Sequence, residues 1–320
     1  MTESSVEKAK SWSANNYFDD QSRKEIETLL NNNDLKEIEE RFYKDLEFGT
    51  GGMRAILGQG TNRLNKYNIR KATQALSLTL KKTATNASEQ IKVAISYDTR
   101  RFSKDFAKEA ACVFAANGIK AFIYNRVNPV PLCSFAIRHH ECRAGVMVTA
   151  SHNPPEYNGF KVFWGDGAQV TPPNDQYIIE EFNGIKDYST IPMTDFDEQV
   201  KEGNIAWIGE ETENAYFKAI EEKCLNPEML KEHGEKLKII YTPIHGAGLV
   251  PCTRSLNDLG LTNVQVVEEQ AQPDSNFSTV SSPNPENPEA MNMAVELMKK
   301  EGADIVFGSD PDADRVGMAF

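Results

Sequence analysis

The sequence predicts an α/β protein made of two successive α/β units. Three observations carry that prediction: apolar stretches of strand length alternate with segments of helical periodicity, the alternation runs twice, and the chain has 320 residues. At roughly 100 to 200 residues per domain, that length accommodates about two domains, each with its own core.

Residues 1–48 are rich in charge and helix formers, as in Lys24-Glu25-Ile26-Glu27-Thr28-Leu29-Leu30, and read as a helical lead-in ending at Phe48. From Lys66 to Lys82 the apolar positions Ile69, Ala72, Ala75, Leu76 and Leu80 fall at helical spacing, which predicts an amphipathic helix. A strand is expected over 91–96. Ser103 is placed to cap a helix carrying Phe106, Ala110, Val113 and Phe114 on one face, with Gly118 where it should stop. A second strand follows at 121–124, a helix at 131–140 and an apolar strand at 145–149, which runs straight into Ala150-Ser151-His152-Asn153-Pro154.

The second half repeats the pattern: strand 237–241, helix 249–259, strand 264–267, helix 288–300 and strand 304–307. It too ends in a polar loop, Gly308-Ser309-Asp310-Pro311-Asp312-Ala313-Asp314-Arg315. Such sheets place ligand sites in loops at the carboxyl ends of buried strands. The polar, weakly periodic stretch 187–204 marks the expected boundary, dividing the chain into a first unit, with the lead-in 1–48 belonging to it and its body at 49–200, and a second unit at 201–320. Residues 272–287, heavy in Pro, Ser and Asn, are expected as a long loop.

Composition narrows the function classes. Acidic side chains outnumber basic ones 47 to 35, for a net charge of −12. With no basic stripe, nucleic acid is not an expected partner, because phosphate-backbone affinity needs clustered Lys and Arg. Five cysteines are an odd number, scattered without a Cys-x-x-Cys pair, and read as reduced thiols in a reducing compartment. The polar start lacks a signal-peptide apolar region, and no run approaches the ~18 apolar residues of a membrane span. A cytoplasmic protein with no membrane partner is expected.

Asp310, Asp312 and Asp314 stand at alternate positions, and three such carboxylates cannot crowd together without a compensating cation. Hard oxygen ligands suit Mg²⁺, which prefers a few carboxylates plus substrate phosphate to a complete protein cage. An EF-hand fits poorly, since Arg315 occupies the position that needs glycine. An aspartyl nucleophile of the phosphatase kind is an alternative, and a solvated turn is the bland one.

In Thr149-Ala150-Ser151-His152-Asn153-Pro154-Pro155-Glu156-Tyr157-Asn158-Gly159-Phe160-Lys161, the Asn-Pro and Asn-Gly pairs form turns. Ser151 is a candidate nucleophile needing a base or charge neutralisation nearby. His152 adjoins it in sequence, and Lys161 is a candidate cation or proton-transfer group. No Gly-x-Ser-x-Gly elbow supports an esterase. In Phe48-Gly49-Thr50-Gly51-Gly52-Met53-Arg54 the glycines free backbone N–H groups to approach an anion, and Arg54 can grip phosphate bidentately. No Walker motif follows. Tyr97-Asp98-Thr99-Arg100 and Tyr241-Thr242-Pro243-Ile244-His245-Gly246 each follow a strand; a surface Asp98–Arg100 pair and a core His245 are the plain readings of these two.

Together and in this order, these segments resemble the α-D-phosphohexomutase family, the phosphoglucomutases and phosphomannomutases. Residues 149–161 resemble the family's phosphoserine loop, 310–315 its Mg²⁺ loop and 48–54 its amino-terminal active-site turn. Trp164-Gly165-Asp166-Gly167-Ala168-Gln169 is similar to the branch of larger phosphoglucomutases and phosphopentomutases. The resemblance implies two similar three-layer α/β domains with mixed, mostly parallel sheets, the first two of a four-domain architecture. It implies Ser151 as phosphoryl carrier, exchanging phosphate between C1 and C6 of glucose phosphate through a sugar bisphosphate, with glucose 1,6-bisphosphate as activator and sugar phosphates as partners. Mg²⁺ would be held by Asp310, Asp312, Asp314 and the Ser151 phosphate. Lys161 or His152 would manage the hydroxyl proton, and Thr50, Arg54, His245 and Arg315 would bind substrate, Arg54 with a catalytic share. The sugar-recognition and phosphate-binding domains are not expected in a chain ending at Phe320, so this chain alone is expected to be weakly active or inactive. A Mg²⁺-dependent phosphatase, a phosphopentomutase and a non-catalytic sugar-phosphate-binding protein are the alternatives.

Overall fold

The computed structural model describes residues 3–84, 86 and 89–320. The lead-in forms three helices, Glu3–Ala14, Asp20–Asn31 and Leu35–Phe42. Asp19 and Asp34 cap the second and third by accepting from the Ser22 and Glu37 N–H groups. Their apolar faces meet in an aromatic cluster, where Trp12 stacks on Phe18 at 3.8 Å and packs edge-on against Phe42 and Tyr67. Tyr67 belongs to the helix Lys66–Lys82, and its hydroxyl accepts from the Asp19 N–H at 2.8 Å. The lead-in is therefore part of the first domain.

The first sheet has six strands, β1 (Gly52–Ile56), β2 (Lys92–Tyr97), β3 (Lys120–Tyr124), β4 (Ala144–Val148), β5 (Tyr157–Trp164) and β6 (Ile205–Ile208), in the order β1-β5-β4-β2-β3-β6. Strands β4, β2, β3 and β6 run parallel, while β5 is antiparallel to both neighbours, β4 and β1. Alternate side chains serve opposite faces. Val93, Ile95, Val146 and Val148 pack with helices Lys66–Lys82, Ser103–Ala116 and Asn174–Gly184, whereas Ala94 and Met147 pack with helix Val130–His139. That gives three layers.

The second sheet, β7 (Ile239–Thr242), β8 (Val264–Val266), β9 (Ile305–Ser309) and β10 (Val316–Ala319), has the order β10-β9-β7-β8, with only β10 antiparallel. Helix Pro288–Glu301 buries Ala290, Met291 and Ala294 against Ile240 and Val306.

The structure corrects two expectations and assigns two stretches left open. The boundary at 200/201 would cut β6 from its sheet, yet Ile205–Ile208 pairs along β3 and closes the first domain's edge, so the division falls after 208. Ser103 does not cap its helix; Phe102, at φ 65°, holds that position and the Ser103 hydroxyl donates to Asp98 instead. The stretches 157–164 and 316–319, without a helical or strand assignment in the sequence reading, are antiparallel strands that carry the two polar loops back along their own sheets.

Candidate active site

Both polar loops leave the carboxyl ends of central strands, Ala150–Asn153 after β4 and Asp310–Arg315 after β9, and the packing of the two domains brings them together. Ser151 is buried and takes a left-handed conformation (φ 53°). Its N–H donates to Thr149 Oγ1 at 2.8 Å. Its Oγ lies 2.8 Å from Asp310 Oδ2, across the domain interface, and 3.1 Å from His152 Nδ1. The serine thus has a hydrogen-bonding partner from each domain.

Asp310 and Asp312 are fully buried, and carboxylate oxygens of Asp310, Asp312 and Asp314 lie within 4.8 Å of one another. The loop makes this possible by bending: Ala313 has φ 48°, and the N–H groups of Asp314 and Arg315 donate to Asp310 Oδ1 at 3.2 and 3.1 Å. From β5, Lys161 reaches Asp312 Oδ2 at 2.8 Å and Asp314 Oδ2 at 3.1 Å. Burial, joined by the charge of Asp312, pushes the Asp310 carboxyl up to about 8. Burial raises Asp312 too, but the Lys161 ammonium more than offsets it and holds that carboxyl below its ordinary value. Lys161 is itself held charged: burial works against the ammonium and the two carboxylates outweigh it. Burial, then the charges of Arg315 and Arg54, push His152 down and leave a neutral imidazole beside Ser151.

The cluster fits a hard divalent cation. Its donors are all oxygens, and Asp312 Oδ1 is buried without a hydrogen-bond partner, an acceptor that folding desolvates and the protein leaves unmet. Asp310, Asp312 and Asp314 are the residues that would hold such an ion, beside the Ser151 oxygen.

The other candidates are placed as follows. Arg54, on β1 opposite Gly159 of β5, donates to Asn153 Oδ1 at 2.8 Å and is exposed. Thr50 is exposed on the turn that Gly49 and Gly52 close with reciprocal backbone bonds of 2.8 and 3.1 Å. That turn requires glycine at 52, where φ is +138° and a Cβ would stand 2.0 Å from the Phe160 carbonyl oxygen. Gln169, from the Trp164–Gln169 segment, donates to the Gly51 carbonyl at 3.2 Å and braces it. Arg315 pairs with Glu286 at 3.1 Å on the rim. His245 does not present its ring to the cluster. The ring is buried in the second domain, Nδ1 3.0 Å from the Gln272 carbonyl and Nε2 2.9 Å from Thr279 Oγ1, so the substrate-binding expectation gives way to the core-histidine one.

Asp98 and Arg100 are corrected in the opposite direction: neither is a surface residue, and both side chains are fully buried beneath the Ser151 loop. Asp98 accepts from the Arg100 N–H, the Ser103 hydroxyl and the Thr149 hydroxyl at 3.0, 2.7 and 2.6 Å, and Thr149 Oγ1 also lies 3.1 Å from Asp312 Oδ2. Their only sequence signal was position at the end of β2.

Residues 45–189 match the family model described as phosphoglucomutase/phosphomannomutase, alpha/beta/alpha domain I, and residues 214–320 match domain II of the same family. Among curated relatives, a phosphoglucomutase of Staphylococcus saprophyticus is 36% identical over 272 residues, covering 85% of this chain and 48% of that protein. A human phosphopentomutase is 31% identical over 302 residues, covering 92% of this chain and 48% of the relative. The chain spans about half the length of the curated relatives it matches. A phosphoglucomutase/phosphomannomutase family protein of Burkholderia thailandensis shares the fold at a TM-score of 0.64 and 21% identity, covering 84% of this chain and 53% of that one. No helix among the described residues is long and apolar enough to cross a membrane.

Proposed function

The chain belongs to the phosphoglucomutase/phosphomannomutase family, and from that premise we propose that it is the phosphoryl-carrying and metal-binding part of a phosphosugar mutase, an isomerase. The observation that carries the reading is the 2.8 Å approach of Ser151 Oγ to Asp310, with two further carboxylates and Lys161 around them. Relatives named phosphoglucomutase and phosphopentomutase support a sugar phosphate as substrate, glucose phosphate exchanged between C1 and C6 being our first choice and a pentose phosphate our second.

In the first half-reaction a sugar bisphosphate presents one phosphoryl group to Ser151 Oγ. The bond from phosphorus to the sugar oxygen breaks, the bond to Oγ forms, and the serine proton passes to neutral His152 Nδ1 and on to the released sugar oxygen. Reversal on the other hydroxyl completes the exchange. Lys161 stays protonated between Asp312 and Asp314, so it acts as a fixed cation rather than a base. Arg54 and Arg315, on the exposed side, are the donors for the equatorial phosphate oxygens, with Thr50 on the adjoining turn. Asp310, Asp312 and Asp314 would hold a Mg²⁺, which would supply neutralisation of the developing phosphoryl charge. Glucose 1,6-bisphosphate is the activator that charges Ser151. The five free cysteines fit a reducing, cytoplasmic location.

Intact-mass spectrometry and peptide mapping after incubation with glucose 1,6-bisphosphate and Mg²⁺ test this. One added phosphoryl group on Ser151, lost in Ser151→Ala and reduced in Asp312→Ala, is the expected result. Phosphate on an aspartate with Ser151→Ala unaffected would replace the mutase by the phosphatase reading.

A further inference from the structure

Arg100 is a buried cation that the reaction just described does not use. Its guanidinium spends its Nη donors on four main-chain carbonyls of one short loop: Nη1 donates to Pro154 and Tyr157 at 2.9 and 3.0 Å, and Nη2 to Ser151 and Asn153. Its Nε faces Asp98 Oδ2 at 3.4 Å. With the four Nη N–H donors taken and Nε buried against Asp98, the group presents no donor to a substrate phosphate. The far side of the group is closed by the second domain. The Phe277 ring, itself buried, lies 5.0 Å from Arg100 Cζ, and the neighbouring Arg101 donates to Asn276 Oδ1 at 2.8 Å.

We infer that Arg100 is a positioning residue for the Ser151 loop and that Phe277 completes its seat when the two domains dock. Ser151 sits at φ 53°, a backbone conformation a serine keeps only when its surroundings over-determine it. Four carbonyls converging on one planar cation supply that constraint. Releasing them lets the loop relax and carries Oγ away from Asp310 Oδ2 and His152 Nδ1. Lysine cannot substitute, since three donors on a single nitrogen do not span four carbonyls. The functional consequence rests on Ser151 being the phosphoryl carrier.

The test uses the 320-residue chain with Arg100→Lys, Arg100→Met and Phe277→Leu, read by amide hydrogen exchange and by Ser151 phosphorylation from glucose 1,6-bisphosphate with Mg²⁺. Both Arg100 variants should speed exchange across 151–158 about tenfold while β2 and β4 amides stay within about twofold. The saturating phosphorylation rate should fall about tenfold or more with the half-saturating bisphosphate concentration unchanged, the pattern of lost alignment rather than lost binding. Phe277→Leu should do the same to a smaller degree, about threefold. Wild-type exchange in folded Arg100 variants would overturn the inference. So would a raised half-saturation at unchanged rate, which would place Arg100 on substrate, or loss of cooperative unfolding in both Arg100 variants, which would make it a residue of the whole fold. If the wild-type chain accepts no phosphate, the carrier reading fails, and the exchange measurement still decides the positioning role.

Discussion

Replacing Asp310 by asparagine should abolish an alkaline sensitivity of the metal-free chain. Asp310 is buried beside Asp312, and its carboxyl titrates at about 8 against an ordinary value of 3.8. Between those values the unfolded chain has shed the proton and the native chain keeps it, so stability falls as pH rises through the window and levels off above it. Each pH unit costs about 1.4 kcal/mol, and the interval from pH 6 to 8 about 2 kcal/mol once levelling is included. For a chain of this size that is about 3 °C in Tm. Asparagine keeps the Oδ1 acceptor for the Asp314 and Arg315 N–H groups, and its amide can donate to Ser151 Oγ, so the loop retains its hydrogen bonds. The assay is thermal unfolding by circular dichroism in EDTA at pH 6, 7 and 8 for both proteins. Histidine titrations, including the lowered His140 and His152, are common to the two and cancel in the difference. The wild type should lose about 3 °C over the interval and the variant almost nothing. Excess Mg²⁺ should flatten the wild-type profile by taking up the ionised carboxylate. Parallel profiles for the two proteins in EDTA would refute the reasoning, because the burial of Asp310 would then carry no proton.

Lys161→Met should cost about 3 kcal/mol in EDTA by urea unfolding, because it leaves the buried Asp312 charge unpaired. It should also tighten Mn²⁺ binding, since the ion no longer competes with an ammonium; weaker binding would count against the cluster as a cation site. His245→Ala should lose about 2 kcal/mol by emptying the space of a buried ring and removing its two hydrogen bonds, with Ser151 phosphorylation unchanged. Arg54→Ala should do the reverse, shifting stability by less than about 0.5 kcal/mol while slowing phosphorylation. Gly159→Ala should cost about 2 kcal/mol in chemical unfolding, because its Cβ would stand 2.5 Å from the Thr149 oxygen and 2.8 Å from that of Met53, backbone atoms that cannot rotate away.

Much of this architecture was legible locally. The helix expected from Lys66 to Lys82 has those bounds, and the first three buried strands and the helix from Pro288 lie within a few residues of their expected places, because each has a periodic apolar face that must be buried. The strands Tyr157–Trp164 and Val316–Ala319 were not legible, since the first follows a turn-rich motif and the second is short and half exposed. Ile205–Ile208 was assigned to the wrong domain because a four-residue edge strand carries no mark of its partner.

The same division runs through the site. Sequence alone determined the chemical inventory: a serine followed by a histidine after one strand, three alternate aspartates after another, and an arginine on a glycine turn. These are local patterns, spelled out over a few consecutive residues. Only the tertiary structure decided which of them meet. Ser151 and Asp310 are 159 positions apart, and their contact exists because two distinct sheets pack with their carboxyl ends together. Burial was decided there as well. It makes Asp98 and Arg100 an internal brace rather than a surface pair, sets His245 into the core, and raises the Asp310 carboxyl. A side chain's charge state and partners depend on what surrounds it in space, and for these residues those surroundings are brought up from distant positions in the chain, within the same domain for Asp98 and His245 and across the domain contact for Asp310.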